Sequence, residues 1–294
     1  MANPWLQVVV NGLASGLALA LFALAFGVVY VSSGKFHLSL CAVFATTPTI
    51  AWALRRSAMS WPAALTCAIA TGISISLATG VLNHERLEKR QGSDGAHFIS
   101  ALGLYLLLTQ ALVLVFGSES KMLRSGLDLA HPVGPVTLTM SQVLTAGVSC
   151  AILFCFLGTL RFTRAGLFLR AISDNPAECA LRGINVTKVR VAVFALAGGL
   201  CSASSLLVGS ENGFDPNGGL LAGLPAIAAM IIGGRTSFVG PVFGALLIAM
   251  VRVTVVWSFS AGWQEAVTFV LLAAFLLFRP QGLVSQPGPW ERGL

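Results

Sequence analysis

The first 34 residues contain no Asp, Glu, Lys, Arg or His, and that absence decides most of what this chain can become. A soluble core helix of such length would have to be covered on every side, whereas a hydrocarbon bilayer accepts it without a protein partner. Further apolar runs follow at Trp61 to Leu82, Phe98 to Phe116, Val136 to Leu160, Val191 to Gly209 and Phe238 to Trp257, with a last one ending at Phe278. Charged residues make up 10% of the 294, against about a quarter in soluble domains. The expectation is an all-α polytopic membrane protein, one transmembrane domain over residues 1–294 with about eight or nine crossing or re-entrant helices. The net charge of +7 would suggest nucleic acid in a soluble protein. Here it follows from basic loops facing anionic lipid, so lipid is the expected neighbour and nucleic acid is not. The opening MANPWLQ lacks the basic stretch of a cleavable signal, so the first span is expected to be retained.

Two apolar segments are too short for comfort. Leu38 to Leu54 holds Thr46-Thr47-Pro48-Thr49, and Leu220 to Gly233 holds Gly223 and Pro225. At about 1.5 Å per residue neither has length to spare across a core of about 30 Å. Both are expected to be broken or re-entrant. Each follows a Gly/Ala-rich span and a polar, Gly-containing turn, and each precedes a full span, as in an inverted repeat whose interrupted helices line a translocation pathway. On that reading Ser33, Gly34, His37 and Pro48 from one half and Pro216, Gly218, Gly219 and Pro225 from the other border the pathway, because backbone groups freed by a broken helix need protein or a wet cavity around them. Two unrelated kinked helices would give the same pattern.

The long polar interval from Arg161 to Arg190 carries Arg161, Arg164, Arg170, Arg182, Lys188 and Arg190, a density that marks a cytoplasmic loop. The residues Lys35, Arg86, Lys89, Arg90, Arg235, Arg279 and Arg292 fall on the same side when the amino terminus is placed outside, against Arg55, Arg56, Lys121 and Arg124 on the other. Trp5, Trp52, Trp61, Trp257 and Trp263 then share the outer boundary, as an interfacial aromatic belt requires. Within the interval a short helix has both ends specified. Asn175 can cap, Pro176 suits the first position, Glu178 stands where it can reach back to the cap amide, and Gly183 suits the left-handed residue at the end. A helix fixed at both ends presents a rigid face; a plain helical connector is the alternative.

Catalytic chemistry finds no support. No G-x-x-x-x-G-K-[ST] or H-E-x-x-H occurs, so neither a phosphate-binding loop nor a zinc-protease helix is present in the sequence. Cys41, Cys67, Cys150, Cys155, Cys179 and Cys201 are scattered, mostly in apolar runs, and read as small buried hydrophobes. His84, His97 and His131 are expected in loops, the first two within a charged stretch from His84 to His97, and His37 lies beside the first short segment. Arg252 and Glu265 are the deepest charges and stand where adjacent spans could pair them.

Several stretches together resemble a known family. Arg164-Ala165-Gly166, Arg170-Ala171, Ala180 and Gly183-Ile184-Asn185-Val186 in the central loop are similar to the permease subunits of bacterial branched-chain amino acid ABC transporters. So are Asn11-Gly12-Leu13, Ile232-Gly233-Gly234, Gly240-Pro241-Val242-Phe243-Gly244 and the terminal Arg279-Pro280-Gln281-Gly282-Leu283. The resemblance implies an inner-membrane importer subunit, with its amino terminus in the periplasm and its carboxyl terminus in the cytoplasm. It implies a second homologous permease as partner, two cytoplasmic ATPase subunits that hydrolyse ATP so that this chain needs no cofactor, and a periplasmic substrate-binding protein. The capped helix becomes the coupling element, with Arg170, Asn175, Pro176, Glu178, Ala180 and Gly183 at the ATPase. Glu178-Cys179-Ala180 followed by Gly183 is similar to the Glu-Ala-Ala…Gly loop of importers, with Cys for one Ala and the glycine one residue early. Lys35-Phe36-His37-Leu38-Ser39 stands where the family usually has Asn-Phe-Ala-His-Gly, which keeps urea and short amides open as alternative substrates. An ion-coupled secondary transporter would need mid-membrane ionisable groups, and the spans offer almost none.

Overall fold

The computed structural model describes residues 4–124 and 130–284; Arg292 and part of the connector after Phe116 lie outside them. Among the described residues seven helices are long and apolar enough to cross a membrane. The first, α1 (Pro4–Ser33), is the axis of the molecule: from Ala18 to Val29 nearly every side chain is buried, Phe22 and Phe26 included. Apolarity on all faces is what lets one helix be enclosed by others. It is approached most closely by α11 (Gly240–Ser258), because a Cβ at Gly12 would overlap Met250 Sδ and one at Gly16 would come within 3.1 Å of Ala249 Cβ. Gly12 and Gly16, four residues apart on one face of α1, make room for this crossing.

The two short segments are continuous helices and not broken ones. The first, α2 (Leu40–Arg56), and the second, α10 (Gly219–Gly233), each run through their internal proline. Threonine hydroxyls steady α2 by donating one turn back, Thr46 to Ala42 O, Thr47 to Val43 O and Thr49 to Ala45 O, at 2.7–2.8 Å. The two helices pack on each other where Gly219 and Gly223 leave room for the Cys41 carbonyl and thiol.

Between them, α3 (Trp61–Thr79) runs into a π-helical turn, Gly80–Glu85, and a final turn, α4 (Arg86–Lys89). The stretch expected to be a charged loop is therefore mostly helical, and α5 (Asp94–Phe116), capped by Ser93, starts before its end. The helix α3 lies along α9 (Val186–Asn212) through small residues four apart on both: Gly72 against Ser202, Ser76 against Gly198, Gly80 against the Phe194 ring. This spacing is one face of a helix, and it brings the two backbones close enough for Ser76 Oγ to donate to Phe194 O at 2.7 Å.

Residues 136–139, expected to open a span, form a strand instead. A hairpin of β1 (Ala130–Val133) and β2 (Val136–Thr139) turns at Gly134, whose φ of 63° suits a tight hairpin turn, and Thr139 with Gln142 closes a capping box on α6 (Met140–Phe162). The halves are stapled at this end by a two-bond bridge between Lys121 and Phe214. Trp5 and Trp257 are in ring contact at 4.7 Å, and Arg55, Arg56 and Lys121 lie over the rings of Trp61 and Trp52. The last span is α12 (Gln264–Phe278); after it the chain returns to α10, where Leu283 N and Val284 N donate to Ile232 O and Gly233 O at 2.8 and 2.9 Å.

Candidate functional site

A half-open cavity of about 540 Å³ lies among α1, α2, α9, α10, α11 and α12. One wall is apolar: Phe22 stacks on Phe44 with centroids 4.6 Å apart, and Leu19, Val208 and Leu221 continue it. The lining also holds the polar residues Arg252, Gln264, Glu265, Glu211 and Asp215. The Arg252 guanidinium donates to Glu265 Oε1 at 2.9 Å and to Gln264 Oε1 and Thr268 Oγ1 at 3.2 Å each. The pairing of Arg252 with Glu265 is thus as the sequence suggested, but it borders a cavity. The second carboxylate oxygen, Glu265 Oε2, is buried without a hydrogen-bond partner.

Each of the two prolines leaves a carbonyl unmatched on a residue that lines this cavity. Pro48 has no N–H for the carbonyl four residues back, which belongs to Phe44, and Pro225 has none for that of Leu221. Phe44 and Leu221 both line the cavity. Each short helix therefore contributes one carbonyl lacking its regular helical donor, although neither helix is interrupted.

The expected pathway residues divide. Gly218 and Pro225 line the cavity. Pro48 stands just behind it, 3.2 Å from where a Cβ at Gly209 would be, while Gly219 is taken up by the contact with Cys41 and Pro216 is buried in the loop before α10. Ser33, Gly34 and His37 are elsewhere: Ser33 ends α1 with its Oγ donating to Val29 O, and Gly34, at φ 69°, and His37 are in the turn before α2. His37 is fully buried and meets His84, which in turn meets His97. His84 and His97 are helical and buried, not loop residues, because the π turn carries His84 inward beneath Phe194. Phe22, Phe44, Ser204 and Ser205 were missed as lining residues; nothing in their local sequence separates them from core positions.

The polar interval folds as two helices. Thr163 caps α7 (Arg164–Asp174) by accepting from Gly166 N, and α8 (Pro176–Leu181) follows directly. Asn175 Oδ1 accepts from Ala177 N and Glu178 N at 3.1 Å each. Glu178 does not reach back to the cap; its exposed carboxylate faces Arg182 at 4.0 Å. At the far end Gly183 has φ 81°, Gly183 N donates to Ala180 O and Ile184 N donates to Cys179 O, both at 3.0 Å. This bond pair is the Schellman motif. Cys179 anchors the helix, whereas Ala177, Glu178, Ala180 and Leu181 are exposed, Leu181 to 89%, and Arg170 projects from α7 nearby in sequence.

The apolar helices agree with what comparison with known proteins finds. The sequence profile for the permease component of branched-chain amino acid transport systems matches residues 8–276. The chain belongs to this family. Among its relatives is the high-affinity branched-chain amino acid transport system permease protein BraD of Pseudomonas aeruginosa, 29% identical with 96% of each chain covered. The corresponding permease LivH of Salmonella typhimurium is 24% identical over the same shares. Among solved structures, PsaBC from Streptococcus pneumoniae in complex with Fab aligns with a TM-score of 0.50 at 15% identity, covering 97% of this permease and 93% of that chain, a likeness of fold. The permease is thus a multi-pass membrane transport protein.

Proposed function

We propose that this permease is the membrane-spanning subunit of an ATP-driven importer that carries branched-chain amino acids across the bacterial inner membrane. The observation that supports this most directly is the mixed lining of the cavity. A branched-chain amino acid is a zwitterion with an aliphatic side chain, and one cavity of sufficient size brings together the Phe22–Phe44 pair with Arg252 and Glu265. A guanidinium suits a carboxylate and the Glu265 carboxylate an ammonium group, both from residues that line the cavity. Urea or a short amide would leave the aromatic wall unused. At the cavity Arg252 and Glu265 pair with one another, which leaves neither free to couple an ion there.

The energy then comes from two cytoplasmic ATPase subunits docked on Arg170, Asn175, Pro176, Glu178, Ala180 and Gly183, with no cofactor on this chain. A second permease and a periplasmic binding protein complete the importer, and the amino terminus faces the periplasm with the carboxyl terminus in the cytoplasm. The test is radiolabelled leucine uptake into proteoliposomes holding the permease with its partners. ATP-dependent uptake that valine competes and urea does not is expected. Uptake driven by an ion gradient alone, or competed by urea and not valine, refutes the reading.

A further inference from the structure

Three histidines from separate segments lie end to end inside the protein. His84 Nε2 is 3.0 Å from His37 Nδ1, and His84 Nδ1 is 3.2 Å from His97 Nδ1. At the inner end His37 Nε2 is 3.4 Å from both Ser76 Oγ and Thr79 Oγ1. The central ring uses its two nitrogens toward two different neighbours, so the rings form a line and share no centre; among the described residues no cluster could hold a metal ion.

Counting donors fixes where every proton sits. Ser76 Oγ donates to Phe194 O at 2.7 Å and Thr79 Oγ1 to Ile75 O at 2.8 Å. Each hydroxyl has one proton, so both can only accept from His37, and His37 Nε2 carries a hydrogen. Burial, with the neighbouring His84 ring, holds the His37 imidazole well below its ordinary range, so its Nδ1 is a lone pair. His84 must then donate through Nε2 and accept at Nδ1, and His97 must donate through Nδ1. That leaves His97 Nε2 bare. It is buried, has no hydrogen-bond partner and lies 3.7 Å from Glu88 Oε2. An added proton on the facing nitrogen of His37 or His84 would set N–H against N–H, so the line has one vacancy, at its end, beside a carboxylate.

The groups facing that vacancy come from four segments: Lys35 in the α1–α2 turn, Glu88 in α4, Asp94 in α5 and Arg190 in α9, with His84 behind. Glu88 is shared, at 3.7 Å from Arg190 Nη1 and 4.0 Å from Lys35 Nζ, and Lys35 is paired with Asp94. Two cations and two carboxylates balance, so a single added proton changes the charge of the cluster. Arg190 is the fifth residue of α9, shortly after the coupling segment.

We propose that the His37–His84–His97 line is a one-proton binding site that reads cytoplasmic pH: a proton on His97 Nε2 draws Glu88 away from Arg190 and loosens the coupling segment from the α1–α2 turn. This rests on the proposed cytoplasmic placement of that segment. Acidification inside then slows import.

The direct test needs no transport. Imidazole ¹⁵N spectra of the full chain in lipid nanodiscs, with exposed His131 as internal control, should show hydrogens on His37 Nε2, His84 Nε2 and His97 Nδ1 at pH 8. Only His97 of the three should gain a proton as pH falls to 5. Glu88→Gln should lower its midpoint by about one unit or more, as loss of an opposite charge at this range does. A hydrogen on His97 Nε2 at pH 8, no titration of His97, or two rings titrating overturns the site. In proteoliposomes with the partner subunits, uptake should drop several-fold as the pH on the ATPase side falls from 7.5 to 5.5, and His97→Gln should abolish that dependence while the rate at 7.5 stays. A titrating His97 with pH-independent uptake refutes the regulatory step alone. No leucine uptake at any pH refutes instead the substrate reading above.

Discussion

Replacing Gly183 separates a rigid coupling element from a passive connector. A Cβ built at Gly183 meets nothing within 4 Å, so bulk is not at issue. What a side chain changes is the backbone, held at φ 81°, where an L-residue loses about 1–2 kcal/mol and a β-branched one suffers most. The helix it ends spans only Pro176 to Leu181 and has no stability of its own, since helices under about 12 residues are marginal in water. Its order therefore depends on the two Asn175 bonds and the two Schellman bonds. At about 1.4 kcal/mol per tenfold, Gly183→Val should raise exchange of the Ile184 amide roughly tenfold. Gly183→Asn, tolerated in the left-handed region, should stay near wild type. The measurements are amide exchange over 176–184, ATP-driven leucine uptake, and co-purification of the ATPase. Because the residue is exposed, insertion into the membrane should not change. If the valine variant exchanges, transports and retains its ATPase like wild type, the rigid-coupling argument is wrong.

Other perturbations follow from the same structure. Asn175→Ala removes the caps on Ala177 N and Glu178 N and should weaken α8 by about 1 kcal/mol, with a modest fall in uptake. Arg252→Met should abolish uptake while size-exclusion profile and thermal midpoint stay close to wild type, since Arg252 is only partly buried; retained leucine uptake would remove it from the substrate path. At the crossing of α10 and α11 a Cβ on Gly244 would overlap Ala229 O, so Gly244→Val should lower the yield of folded protein, read by fluorescence-detected chromatography. Single cysteines in a background without Cys67 and Cys155, both exposed, test topology: impermeant reagent outside the cell should label position 121 and miss position 170.

The spans were legible because charge is excluded from them, and α8 because each of its ends has a residue type with a local mechanism. Arg252 and Glu265 were legible as a pair for the same reason any deep charge is conspicuous. The histidine line was not. Its members stand 47 and 13 residues apart, and Glu85, Arg86, Glu88, Lys89 and Arg90 break the hydropathy that would have extended α3 past Leu82. A π turn leaves no compositional mark, yet it alone puts His84 between the other two rings. The hairpin at Ala130–Thr139 is too short for alternation to rise above chance. The cavity wall is a property of four helices meeting, and nothing in the sequence separates Phe22, which lines it, from Phe26 one turn on.

The hydrogen bonds from Leu283 and Val284 to the end of α10 bear on how the protein is made. Ile232 O and Gly233 O close one of the helices around the cavity, and their donors emerge from the ribosome only after the whole of α11 and α12. During synthesis α10 waits in the membrane with its last carbonyls open, and the Gly282 turn, packed on Gly234, is the clasp that completes it. A stop codon placed just before Leu283 would spare every span and still leave that helix unsealed.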